Sequence, residues 1–121
     1  MRVRAQLAML AGLLVLSACA ASSQAGGPAR DRNRITAAEM EAVNARTAMD
    51  AVRRLRSSWL RGVGGARPVV YVDNIRMGGL EVLERMAVED ISELRFMSGP
   101  DATTRYGTGH MGGAILVSTK R

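Results

Sequence analysis

The sequence predicts an α+β domain: a small mixed sheet with short helices. Three observations carry that prediction. Segments of strand length and character recur between turn signals at residues 69–73, 91–97 and 114–119. Two threonine-led capping sequences open short helices ahead of them. Gly, Pro and Asn then punctuate the junctions, which keeps every element short. With 121 residues the chain has room for one domain at most.

The first element is a leader. Arg2 and Arg4 give a basic start, residues 7–16 form a charge-free apolar run, and Ser17 and Ala18 are small. The run is too short to cross a bilayer, which takes roughly 20 apolar residues. Leu16-Ser17-Ala18-Cys19 resembles the lipobox of bacterial lipoproteins. In that family the peptide is cut just before the cysteine, and the thiol carries a lipid. Cys19 is the only cysteine, so no intramolecular disulfide can form. A free thiol inside an ordinary signal peptide is the alternative. Acyl chains contribute roughly 0.8 kcal/mol per buried CH₂, enough for a multiply acylated Cys19 to hold the protein on a membrane. Ala20 stands where an Asp would signal retention, and the lipoprotein pattern then implies the outer membrane. Residues 1–18 are therefore expected to be a lipoprotein signal peptide. Residues 19–34, small and then charged, are expected to be a flexible tether. Residues 35–121 are expected to fold, with a modest core for so short a unit.

Thr36-Ala-Ala-Glu39 opens the first helix as a capping box, with Ile35 and Met40 placed for a hydrophobic staple. Asn44 predicts a break, because Asn tolerates the left-handed conformation that ends helices. Thr47-Ala-Met-Asp50 opens a second helix, with Ala48, Ala51, Val52 and Leu55 on one face and Arg53, Arg54 and Arg56 off it. One continuous helix is the alternative. Residues 61–67 are a Gly-rich loop. Residues 69–73 form a strand, Asp73-Asn74 a two-residue hairpin turn, and residues 75–77 a short return strand. Leu80, Leu83 and Met86 recur at helical spacing. Residues 91–97 form a strand with Leu94 and Phe96 inward. Ser98-Gly-Pro100 starts a helical turn that Gly107 ends. Residues 114–119 are an apolar strand of the buried kind.

The formal charge of +6 falls to about +4 once Arg2 and Arg4 leave with the leader. The arginines are scattered among acids, and the aromatics number only Trp59, Tyr71, Phe96 and Tyr106. A nucleic-acid binder would cluster its charge and interleave aromatics, so the charge reads as solvated surface.

Four pieces of the chain, in the correct order, resemble the plug domain of TonB-dependent receptors. Pro68-Val-Val-Tyr-Val-Asp-Asn-Ile-Arg76 matches the plug's strand, turn and return. Val88-Glu-Asp-Ile-Ser-Glu-Leu-Arg95 matches the run into its next strand. Ser98-Gly-Pro-Asp-Ala-Thr-Thr-Arg-Tyr-Gly107 matches its Gly-Pro…Ala…Tyr-Gly turn, and Gly112-Gly-Ala-Ile-Leu-Val-Ser-Thr-Lys120 its closing strand. Residues 35–55 fit the plug's N-terminal helices more loosely. The resemblance implies a plug-like fold. Asn74 replaces the usual turn Gly, and no TonB-box segment precedes Ile35. The alternating strands of a transmembrane barrel are absent from the 121 residues. A free-standing, barrel-less plug is therefore expected.

Candidate chemistry is sparse. Gly107-Thr-Gly109-His-Met-Gly112 fits G-x-G-x-x-G, but a strand rather than a helix follows it, unlike a dinucleotide site. Its glycines read as turn formers. His110, the only histidine, has no second ligand for a metal and no nucleophile partner, and is expected to be an exposed loop residue. Glu89, Asp90 and Glu93 read as caps on a strand, and Met40, Met49, Met77, Met86, Met97 and Met111 as core filler. No catalytic residues, metal or cofactor are expected, so the chain is read as a non-enzyme. Arg61, Arg67, Arg105 and His110, in or beside the Gly-rich loops, are candidate partner contacts. The expected function is a membrane-anchored lipoprotein whose plug-like domain is a binding module at the outer membrane, facing the periplasm. Its expected partners are the membrane, through the lipid, and an outer-membrane or periplasmic protein. The alternative is an accessory of TonB-dependent transport that gates or binds ligand in trans with a separate barrel.

Overall fold

The structure is a computed structural model and describes residues 30–121. The expected signal peptide, Cys19 and most of the expected tether lie outside the described residues.

The fold is α+β, as the sequence predicts. Its strands are β1 (Arg34–Thr36), β2 (Val69–Val72), β3 (Ile75–Gly78), β4 (Ile91–Met97) and β5 (Ala114–Thr119). Its helices are α1 (Ala37–Ala42), α2 (Ala48–Leu55), α3 (Glu81–Glu84) and α4 (Gly99–Tyr106). The strands make one five-stranded mixed sheet in the order β1-β4-β5-β2-β3. β5 pairs antiparallel with β4 and parallel with β2. Its unbroken apolar run suits that central place, since Ala114, Ile115 and Val117 are all buried.

Residue alternation divides the core. Val70, Leu94, Ile115 and Val117 face α1 and α2 and meet Met40, Ala48, Ala51 and Val52. Tyr71 and Ala114 face the other way, under Ala102 and Tyr106 of α4. Ile91 and Leu94 are three residues apart, and a regular strand would point them to opposite faces. A register shift between Ile91 and Glu93 puts both in the core.

Local signals were realised closely. Thr36 and Glu39 form the full capping box, with Ile35 and Met40 buried beside it. Asn44 adopts φ 54, and the chain breaks there into α1 and α2. Asp73 and Asn74 both take positive φ, as a tight hairpin turn requires. At α2 only half of the expected box forms. The Thr47 hydroxyl accepts the Asp50 N–H, but the shorter Asp50 side chain accepts the Arg46 N–H instead of reaching back to Thr47.

The start of the domain differs from expectation. Arg34, read as the last tether residue, opens β1 and pairs with Arg95. The Phe96 N–H donates to the Asn33 carbonyl, and the Trp59 indole N–H to that of Arg32. Arg56, read as lying off the apolar face, instead turns back toward this segment. It donates to the carbonyls of Asp31 and Arg34 and to the Glu39 carboxylate at 3.0 Å. Burial pushes the Glu39 carboxyl up, but the Thr36 N–H and the Arg56 guanidinium outweigh it and hold the group below the ordinary 4.5. A depressed carboxylate stabilises the fold above its ordinary value and loses that contribution as pH falls through the folded one. Glu39→Gln is therefore expected to lower the urea midpoint at about pH 6, and its gap to wild type to narrow as the pH falls below the ordinary 4.5. A gap that does not shrink with acid would contradict the role of this ion pair.

Candidate functional site

The topology sorts the loops to two ends. β2 and β5 run parallel, so the loops that lead into them, 61–67 and 107–113, share one end, here the base. β4 runs antiparallel to β5 and finishes at the base, where it hands over to α4. The Asp73-Asn74 hairpin and the C-terminal end of α4 lie at the opposite end, the tip.

The two base loops pack on each other through backbone. Val63 and Ala66 exchange both hydrogen bonds around Gly64-Gly65, whose positive φ makes a tight turn. A Cβ on Gly112 would lie 2.4 Å from the Ala66 carbonyl oxygen and 2.6 Å from the Arg67 carbonyl carbon. A Cβ on Gly99 would lie 2.7 Å from the Met111 oxygen. Glycine thus lets loop 61–67, loop 107–113 and the start of α4 come together. Of the G-x-G-x-x-G run only Gly112 makes this joint, while Gly107 and Gly109 take positive φ with open space around them, and β5 follows.

The base carries an apolar groove of about 760 Å³, walled by Val63, Phe96, Pro100, Thr103 and Met111. Val63 and Met111 stand at its rim, 61% and 65% exposed. Met111, like Met77, is thus not the core filler that its residue type suggested. Arg61 and Arg67 flank the base and are exposed. Among the described residues neither joins an ion pair.

His110 corrects an expectation. It is 2% exposed, not an open loop residue, and its ring is not available as a partner contact. Its Nδ1 lies 2.8 Å from the Gly107 carbonyl, and its Nε2 lies 2.7 Å from the Tyr71 hydroxyl. A carbonyl only accepts, so Nδ1 donates to Gly107, and in that tautomer Nε2 accepts from the Tyr71 hydroxyl. Tyr71 and Tyr106 stack at 4.0 Å, with the imidazole 5.8 Å from each. The aromatic trio seals the core beneath α4. Its one base-like group is enclosed and fully engaged, which suits packing and not proton exchange with a ligand.

Arg105 lies at the tip, apart from Arg61 and Arg67. Its guanidinium donates to the Asn74 side-chain oxygen at 3.1 Å and lies over the Tyr106 ring. The Tyr106 hydroxyl donates to the same oxygen. At this end Asp73 accepts the hydroxyl and the N–H of Thr119, which hold its carboxyl below the ordinary aspartate value. The three arginines singled out in the sequence therefore form two separate surfaces. Val63 and Met111 are exposed at the base and Asn74 accepts from Arg105 at the tip, neighbours that sequence reasoning did not single out as contacts. An apolar residue inside a Gly-rich loop was the one available signal for Val63.

Among the described residues no group of three or more His, Cys, Asp or Glu could hold a metal ion. No helix among them is long and apolar enough to cross a membrane.

Residues 56–114 match the TonB-dependent Receptor Plug Domain family. The match runs from Arg56 to the first residue of β5 and includes both base loops, the hairpin and α4. It is a family of outer-membrane receptors and not one of enzymes. No curated protein and no solved structure matches the chain.

Proposed function

We propose that the protein is a lipoprotein anchored through Cys19 in the outer membrane, and that its plug-like domain binds a protein partner there without catalytic turnover. The family match over residues 56–114 carries this reading. The lipobox-like Leu16-Ser17-Ala18-Cys19 supports the anchor, and the enclosed Tyr71–His110 pair agrees with the absence of turnover. The domain faces the periplasm, with Arg105 and the tip hairpin as its contact for an outer-membrane or periplasmic protein. The family match also favours a second reading, an accessory of TonB-dependent transport that gates or binds ligand in trans with a separate barrel.

Two measurements test the proposal. Mass spectrometry of the mature N-terminus is expected to find acylated Cys19 in the membrane fraction. An unmodified N-terminus downstream of Cys19 in a soluble fraction refutes the anchor. Pull-down from outer membranes with tagged mature protein is expected to recover a partner, and Arg105→Ser to weaken that capture at unchanged circular dichroism. Recovery of a β-barrel transporter selects the transport reading.

A further inference from the structure

We propose that the base of the domain is a membrane-docking face that seats on an anionic bilayer, with Val63 and Met111 in the acyl boundary and Arg61 and Arg67 on lipid phosphates. The inference extends the lipid-anchor reading and uses it in one step.

The first argument is shape and exposure. Val63 and Met111 come from loops far apart in sequence, yet Gly64 brings them together: a Cβ there would lie 3.7 Å from the Met111 sulfur. The Gly112 backbone contact locks both loops to the sheet, so the two apolar side chains are held outward from a rigid base. The groove behind them is apolar and carries no charged wall residue. Exposed apolar groups without a protein partner are what an interfacial membrane contact presents.

Charge is the second argument. Arg61 and Arg67 belong to the same loop as Val63 and are exposed, and among the described residues neither joins an ion pair; Arg67 lines a neighbouring cleft that also holds Glu81 and Glu84. Asp101, next to Pro100 of the groove wall, is exposed and accepts from the Ser98 hydroxyl at 2.8 Å, a bond that leaves its negative charge in place, so the face depends on both arginines to be net positive. Near an anionic surface each such arginine contributes about 1 kcal/mol.

The third argument is where the rest of the chain lies. β1 runs antiparallel to β4, so its first residue sits at the base end of β4. Arg32 and Asn33 are bonded to Trp59 and Phe96, and Phe96 walls the groove. The chain therefore reaches the domain through the base. Cys19 lies eleven residues before Arg30, a span of at most about 40 Å when extended. An acylated Cys19 would keep the bilayer within that reach of the base. With the base on the membrane, the tip and Arg105 point away from it, open to a partner.

The test uses the chain from Ala20 to Arg121, which lacks both leader and lipid and keeps every described residue. Its sedimentation is measured with vesicles of phosphatidylethanolamine and phosphatidylglycerol, and with vesicles of phosphatidylcholine alone. Binding to the anionic vesicles is expected, and it should fall at least tenfold on phosphatidylcholine and in the V63D/M111D variant. R61S/R67S should bind more weakly and lose most of the salt dependence. Circular dichroism and melting temperature check that each variant folds. No binding by wild type, equal binding to both vesicle types, or an unaltered folded V63D/M111D variant overturns the proposal. Capture of a membrane protein through Val63 and Met111 without vesicle binding also overturns it and assigns the face to a protein. Because the chain tested carries no lipid, its failure leaves the Cys19 anchor to be judged by mass spectrometry alone.

Discussion

Gly112→Ala is expected to lower the unfolding free energy by about 3 kcal/mol, the upper range for overpacking. Its Cβ would meet the Ala66 oxygen at 2.4 Å, the Arg67 carbonyl carbon at 2.6 Å and the Ala66 carbonyl carbon at 2.8 Å. All three are backbone atoms, so no side chain can turn away to make room. Relief requires the two base loops to separate. Gly65→Ala is the control. It has φ +83 and nothing within 4 Å of a Cβ, so only backbone strain opposes it, about 1 kcal/mol for one left-handed residue. Urea unfolding of the two variants at neutral pH decides the matter. Equal small losses would mean that the loops are not joined through Gly112.

His110→Ala is expected to cost about 3 to 4 kcal/mol, from a cavity and from an orphaned hydroxyl on Tyr71. Tyr71→Phe removes the same hydrogen bond but keeps the packing, and should cost about 1 to 2 kcal/mol. The double variant should fall short of the sum by about 1 kcal/mol, because the two residues share the 2.7 Å bond. A loss under about 0.5 kcal/mol for His110→Ala, the level of a surface substitution, would return the ring to solvent and restore the sequence expectation.

What the sequence disclosed and what it hid divide along the range of the interactions. The Thr36 capping box, the break at Asn44 and the Asp73-Asn74 turn each depend on residues within about four positions of one another, and each was legible. β4 mixes inward apolar with outward polar residues and β5 opens on a continuous apolar run, and their bounds were legible too. β1 was not. It is three residues long and owes its conformation to β4, distant in sequence. The burial of His110 depends on Tyr71, 39 residues away, which no local pattern announces. The base surface was half legible: its glycines were visible as turn formers, but not their contact across two loops. Grouping Arg105 with Arg61 and Arg67 failed for the same reason, since proximity to Gly-rich loops does not tell which end of a sheet a loop occupies.

The place of β5 has a kinetic consequence. The strand that joins β4 to β2 is the last element of the described sequence, and Val69 must wait for Ala114 before the two can pair. Of the sheet's pairings, only the β2–β3 hairpin closes locally, a microsecond event. The rest is non-local, which places folding in roughly the millisecond-to-second range. An emerging chain thus has α1, α2 and a hairpin but no sheet centre, and must remain open until synthesis reaches Thr119. Such a delay leaves a nascent chain accessible along its length, to proteases and chaperones alike, until its last described strand is made.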